Sequence, residues 1–329
     1  MLVFLIFYVL FCTCMCLAIH NPSEAQYHRS FRIKKQEQNM DNSPTRDQAA
    51  SPVDSKDENW EKLTSKRLTD KTVGILGGLG PEATVHFLSR ILARTVNLYH
   101  ASIDQQHIPI IIQHNPTVPN RNDAIDGVGT NCGPHLRDMT SSLVKSGAVD
   151  FIVLACNTAH AFQSYIEEGC ENKVPFVSMI DVTCNEVAKR MNIRGSDNNG
   201  RKRKCGILAG GGCIRANLFQ NSLLQRHIEP IIPSPSNQEL MQSIIYRIKA
   251  GDKGMNVLND FIKVIQELKE EKGCECIVVG CTELPLILEK CLDMYNGVKI
   301  DDFVDSTDVM VDTLIRISKN DLELNSFLN

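Results

Sequence analysis

The chain has 329 residues, 43% of them hydrophobic, and a formal net charge of −4. That is apolar residue enough for a sizeable core, which excludes a wholly disordered chain, and an acidic balance gives no support to a nucleic-acid partner. Thirteen cysteines are many, but Cys12, Cys14 and Cys16 sit together near the start. Several of the others fall inside apolar runs or helix patterns, unlike the loop cysteines of a small disulfide scaffold.

Leu2 to Ile19 is almost wholly apolar, broken only by Thr13. The length suits a signal-peptide core or a short membrane anchor (residues 1–19), although no basic segment precedes it. The competing reading is a mis-assigned start ahead of a cytoplasmic enzyme. The expectation carried forward is routing into the secretory pathway, ending outside the cell or in an organelle. A plastid would reconcile a leader with cysteines kept as thiols. Residues 20–70 carry "RSFRIKKQ" and then a mixed-charge stretch with little apolar surface, which predicts a disordered linker or transit segment.

From Thr72 onward, short apolar runs alternate with helix-period segments, the pattern of a parallel α/β sheet. Strands are predicted at Val73–Leu76, Ile108–Ile112, Phe151–Ala155 and Phe176–Met179, then at Cys205–Ala209, Pro230–Ile232, Glu275–Val279 and Phe303–Val304. Helices are predicted at 81–97, 134–147, 157–168, 181–191, 214–227, 237–250, 255–272 and 306–318. "RKRK" at Arg201–Lys204 ends a Ser/Asp/Asn/Gly loop and reads as a solvated loop before a strand rather than a nuclear signal.

The two series of elements match. Each begins with a strand running into glycines, "GILGGLGP" and "GILAGGGC". Each later reaches a cysteine at the end of a very apolar strand, "IVLACNTAH" with Cys156 and "IVVGCTELP" with Cys281. The fold class expected is therefore α/β, with two similar domains, each a parallel sheet flanked by helices. The first takes residues 71–180 plus 303–329 and the second residues 181–302. Ligands collect at the carboxyl ends of strands in open α/β sheets. Two such domains face to face would put the cysteines on opposite walls of one cleft.

A lone strand-end cysteine is most often a buried core thiol. Two in matching contexts, each before a predicted helix whose free amides favour a thiolate, suit an acid and a base on opposite faces of a substrate carbon. A dinucleotide reading of Gly78-x-Gly80-x-x-Ala83 fails, because the next strand ends "IIQHNP" without the acid that binds a ribose. Pro81 after those glycines makes instead a helix start able to cradle a carboxylate. Cys274, Cys276 and Cys281 lack the companion ligands of a structural zinc site. His160, one helical turn after Cys156, suits packing or hydrogen bonding better than service as a base. Arg121, in the loop "HNPTVPNRND", offers a planar fork for a carboxylate.

With "GILGGLGPEAT", "NPTVPNR", "CNTAH" and "GCTELPL" in this order, the chain from Thr72 to Lys319 resembles the cofactor-independent aspartate/glutamate racemase family. The resemblance implies two similar α/β domains with the last helix returning to the first, no cofactor or metal, a small amino-acid substrate and a homodimer. It also implies that Cys156 and Cys281 transfer the proton. Asn157, Thr158 and Thr282 would hold the substrate's α-carboxylate and amine, Arg121 the side-chain carboxylate of an acidic substrate, and Asn115 would also bind the substrate. Two departures stand out. The family's "LLAT-x-GT" turn reads Leu208-Ala209-Gly210-Gly211-Gly212-Cys213 here, so hydroxyls expected near the substrate are missing and a third thiol is expected to approach the site. A substrate-binding lysine of some aspartate racemases falls at Glu239, which would repel a second carboxylate if it faced the pocket. The reading is an aspartate or glutamate racemase working by two-base proton transfer. The alternatives are an isomerase or decarboxylase of another carboxylic acid, or an inactive amino-acid-binding protein.

Overall fold

The computed structural model of the protein describes residues 70–191 and 203–324. The apolar leader, nearly all of the polar linker and the first half of "RKRK" lie outside the described residues; Lys204, at its end, opens a strand.

Fully apolar runs become strands covered on both faces by helices. In the first half these are β1 (Val73–Gly77), α1 (Pro81–Tyr99), β2 (Ile110–His114), α2 (Arg121–Ile125), α3 (Gly133–Lys145), β3 (Phe151–Leu154), α4 (Gln163–Cys170), β4 (Phe176–Val177) and α5 (Met179–Arg190). The second half continues with β5 (Lys204–Leu208), α6 (Gly211–Arg215), α7 (Leu218–Gln225), β6 (Glu229–Ile231), α8 (Pro235–Lys249), α9 (Met255–Gln266), β7 (Cys276–Val279), α10 (Pro285–Met294), β8 (Phe303–Asp305) and α11 (Ser306–Ser318). Each half carries a four-stranded parallel sheet, ordered β2-β1-β3-β4 and β6-β5-β7-β8. The same order twice is what a duplicated unit produces.

Every residue of β1, β3 and β7 is buried. Packed side chains cover both faces of each sheet: Phe87, Ile91 and Leu314 on one face of the first, Leu136 and Ile166 on the other. Phe261 and Ile287 lie on one face of the second, Phe219 and Cys205 on the other. α5 is shared, since Met179 and Val182 join the first half's core while Cys184 and Val187 join the second's.

Several boundaries differ from the sequence reading. β8 pairs with β7, so residues 303–305 belong to the second sheet, and only α11 returns to pack against α1 and α5 of the first half. The helix expected at 157–168 is a 3-10 turn, Thr158–Phe162, followed by α4. The helix expected at 214–227 is broken by Asn217, whose left-handed φ of 53° ends the helical path. α2, a single turn, was not anticipated, and the helix expected after Cys281, given no bounds in the sequence reading, is α10, which starts only at Pro285.

Leu314 is fully buried on α11 in the core of the first half. Leu314→Ala is expected to lower unfolding free energy by about 2–5 kcal/mol, measured by urea denaturation. A loss well under 1 kcal/mol would mean that α11 does not help to hold the first sheet.

Candidate active site

β3 and β7, in separate sheets, both run out toward one cavity of about 320 Å³. Cys156, two residues beyond β3, and Cys281, two beyond β7, both line it. Neither directly heads an α-helix: a 3-10 turn follows Cys156, and α10 starts four residues after Cys281. The next residues tie the two loops together. Asn157 Nδ2 donates to Ser306 Oγ at 3.0 Å, and Ser306 Oγ donates to the Val279 carbonyl at 2.9 Å. Asn157 Oδ1 is buried and, among the described residues, takes no hydrogen bond. Thr158 and Thr282 complete this part of the lining.

His160 is a peg, not a base. Its Nδ1 donates to the Cys156 carbonyl at 2.9 Å, and its Nε2 accepts from the Met179 amide at 3.1 Å. Burial pulls its pKa down to about 4, so the ring is neutral in this double contact.

The surroundings of Cys281 run against the expected thiolate. Its Sγ donates to Glu283 Oε2 at 3.1 Å, and Thr282 Oγ1 donates to the same oxygen at 3.3 Å. Burial first, and the Glu283 carboxylate second, push the Cys281 thiol well above its ordinary range, with Lys249 opposing. Cys281 therefore stands as a thiol. Glu283 Oε1 in turn lies 3.2 Å from Lys249 Nζ. Burial lowers the pKa of Lys249, but Glu283, Cys281 and Cys156 outweigh it and leave it raised, so the ammonium is charged. A third of the Lys249 side chain, 34%, stays exposed, which places it at the mouth. Glu283 reaches from the second half to the glycine turn of the first, where a Cβ at Gly80 would overlap Oε1. The helix start that could have cradled a ligand carboxylate faces a protein carboxylate instead.

Arg121 also lines the cavity, held by three backbone carbonyls: Val118 at 3.3 Å, Pro119 at 3.1 Å and Leu79 at 3.2 Å. Asn115 does not line it. Its Oδ1 accepts from the amide and hydroxyl of Thr117 and closes a local turn. Glu239 is exposed on α8 away from the cavity, and the lysine that faces it is Lys249, ten residues on. Cys213 is fully buried in the second half's core and does not reach the cavity lining. Cys274 and Cys276 are likewise buried, and no three metal-binding side chains converge among the described residues.

Glu283, Lys249, Gln242, Tyr246, Asn120 and Asn122 are polar lining residues the sequence reading missed. A signal existed for the three on α8: positions 242, 246 and 249 share one face at helical spacing. Glu283 was visible in "CTELP", but nothing in sequence says that its carboxylate folds back onto the cysteine two residues earlier.

Glu283→Gln removes the charge that holds Cys281 protonated, so the Cys281 pKa falls and its thiolate fraction at pH 8 rises. Alkylation of Cys281 by iodoacetamide, followed by mass spectrometry, is expected to accelerate about tenfold. An unchanged or slower rate would show that the carboxylate does not set the thiol's charge.

A comparison with protein families matches residues 76–314 to Asp/Glu/Hydantoin racemase. The chain is 24% identical over 217 residues to the broad specificity amino-acid racemase RacX of Bacillus subtilis, covering 66% of this chain and 87% of that one. Among solved structures it is similar to the Picrophilus torridus aspartate racemase, with a TM-score of 0.60, 24% identity and coverage of 75% of this chain and 94% of that one. An aspartate racemase homologue from Pyrococcus horikoshii superposes with a TM-score of 0.57 at 23% identity, covering 75% and 99%. The doubled parallel sheet is thus the fold of these racemases, and with a family match over most of its length the chain belongs to the Asp/Glu/Hydantoin racemase family.

Proposed function

We propose that the protein is an amino-acid racemase acting on a dicarboxylic amino acid, aspartate or glutamate, by two-base proton transfer between Cys156 and Cys281. The observation that carries this is two cysteines on one small cavity that also holds a fixed arginine and a lysine at its mouth. With Cys281 present as a thiol, Cys156 is the base that starts the cycle. The Cys156 thiolate takes the Cα proton and becomes a thiol. The electron pair left on Cα is stabilised through the α-carboxylate, and Cys281 gives its proton to the opposite face and becomes a thiolate. The reverse direction exchanges the two roles.

The remaining groups suit the substrate's ends. The free Oδ1 of Asn157 accepts from the substrate ammonium, while Thr158 and Thr282 serve the α-carboxylate. Arg121 takes the side-chain carboxylate, and its three carbonyl contacts mean that little entropy is lost in holding it. Lys249 adds a second positive charge that Glu283 partly offsets. The similar proteins include an aspartate racemase and a broad specificity amino-acid racemase, which supports the reaction and an acidic substrate as one member of its range.

A homodimer completes the proposal. Val85, Leu92 and Val96 form an apolar stripe on α1 at spacings of seven and four, with exposures of 65%, 46% and 44%. A second copy of the chain would cover it.

Incubated in heavy water under reducing conditions, the protein is expected to incorporate deuterium at Cα of aspartate or glutamate and to yield both enantiomers. Cys156→Ala and Cys281→Ala should each lower racemisation by ~10²–10⁴-fold; full racemisation by either would sink the two-base mechanism. Absence of exchange with any amino acid, despite binding, would turn the reading to an inactive binding protein. By sedimentation, the wild-type protein should run as a dimer and the Val85→Glu, Leu92→Glu variant as a monomer. A monomeric wild type at micromolar concentration would remove the dimer.

A further inference from the structure

The glycine run that replaces the family's hydroxyl-bearing turn has a partner in the other half. Gly212 N–H donates to Asn122 Oδ1 at 2.9 Å, and Asn122 Nδ2 donates to the Tyr246 hydroxyl at 3.2 Å. Just past the end of α2, Asp126 receives both arms of Arg215, Nε to Oδ1 and Nη2 to Oδ2, each at 2.7 Å. The fit leaves no room. A Cβ on Gly212 would overlap Asn122 Oδ1 and lie 3.1 Å from both Ile125 Cδ1 and Thr158 Cγ2. Gly211 N–H donates to Gln242 Oε1 at 2.7 Å, so the amide of the neighbouring glycine is committed as well.

α2 begins with Arg121, and the contacts of Asn122 and Asp126 tie α2 and its end to the second half, while the Gly211 bond to Gln242 fixes the socket itself. The single-turn helix is too short to hold its own geometry, since a lone turn in water is unfavourable. Contacts from across the cleft therefore help to set its position, while the Val118, Pro119 and Leu79 carbonyls hold the Arg121 guanidinium that α2 carries.

We infer that Asn122, Asp126 and Arg215, docked on the glycine socket Gly210–Gly212, are positioning residues that clamp α2 across the cleft and thereby fix Arg121 for the side-chain carboxylate of the substrate. In this chain the turn has exchanged hydroxyls near the substrate for a surface on which α2 can seat. The clamp acts on the grip for the second carboxylate and not on the proton-transferring thiols. Loosening it should weaken binding of a dicarboxylic substrate more than it slows the bound complex, and should leave a neutral amino acid unaffected. The link to Arg121's grip rests on the racemase reading above; the clamp itself does not.

The test compares the full chain with Arg215→Ala, with Asp126→Arg, and with the exchanged pair Asp126→Arg plus Arg215→Asp. Amide hydrogen exchange by mass spectrometry reads the clamp directly. Peptides covering 120–128 should exchange several-fold faster in either single variant and return towards the wild-type rate in the exchanged pair. Unchanged exchange in the single variants, or no recovery in the pair, would overturn the clamp. KM for aspartate should rise about fivefold in the single variants, the size expected for a partly exposed bidentate ion pair, with kcat within twofold and alanine kinetics unmoved. Faster exchange with an unmoved KM would overturn the link between α2 and the grip of Arg121. If the wild-type protein leaves Cα hydrogens in place, the racemase reading fails by itself, and aspartate affinity by calorimetry replaces KM in the same comparison.

Discussion

Two reactive side chains carried on separate sheets can work on one carbon only if the loops bearing them keep a fixed separation. In this fold that separation passes through the hydroxyl of Ser306. The group is fully buried at the first residue of α11, takes a hydrogen bond from the residue after Cys156, and gives one to the carbonyl two residues before Cys281. No solvent can replace it there. Without it, the Asn157 amide and the Val279 carbonyl would stand unpaired in the interior, at a cost of about 1–3 kcal/mol for each group. The chain supplies this hydroxyl from a third element, the helix that returns from the second half to pack on the first. The order of strands and helices is thus inseparable from the spacing of the thiols.

The parts of the fold that could be read from sequence are those fixed by local periodicity. The buried strands around Val73, Phe151 and Cys276 have no polar alternation, and the long helices have a clear apolar stripe, so both announced themselves. The doubled pattern pointed to Cys156 and Cys281 for the same reason. What escaped was long-range or very short. β8 was assigned to the wrong sheet because three residues carry no record of which neighbour they pair with. α2 escaped because one helical turn has no period. The helix expected to favour a thiolate at Cys281 starts too late to do so, and the decisive carboxylate comes from a side chain that turns back. Lys249 escaped because a one-to-one carry-over of a motif position landed on Glu239, while the helix face that meets the cavity is set by packing.

The charges around the cavity form a small, nearly balanced set. Arg121 and Lys249 are positive, Glu283 is negative, and the Cys281 thiol leans on the same carboxylate that holds the lysine. Cys281, Glu283 and Lys249 are linked one to the next. A change at one end therefore reaches the other through a single shared carboxylate that is itself buried. A ligand carboxylate that drew Lys249 away would leave Glu283 with less compensation beside the Cys281 thiol.

The described ends of the folded body lie against one another. The Lys71 amide donates to the Ser318 carbonyl at 2.9 Å, Ser318 Oγ donates to the Lys71 carbonyl at 2.6 Å, and Lys319 pairs with Asp70 at 2.5 Å. Topologically the domain is a nicked ring. Joining residue 70 to residue 320 through a short bridge and opening the backbone at an exposed bend such as Gly251 would give a permuted chain with the same layers. In that chain α11 would stand in mid-sequence, and its first residue would still hold the two loops together.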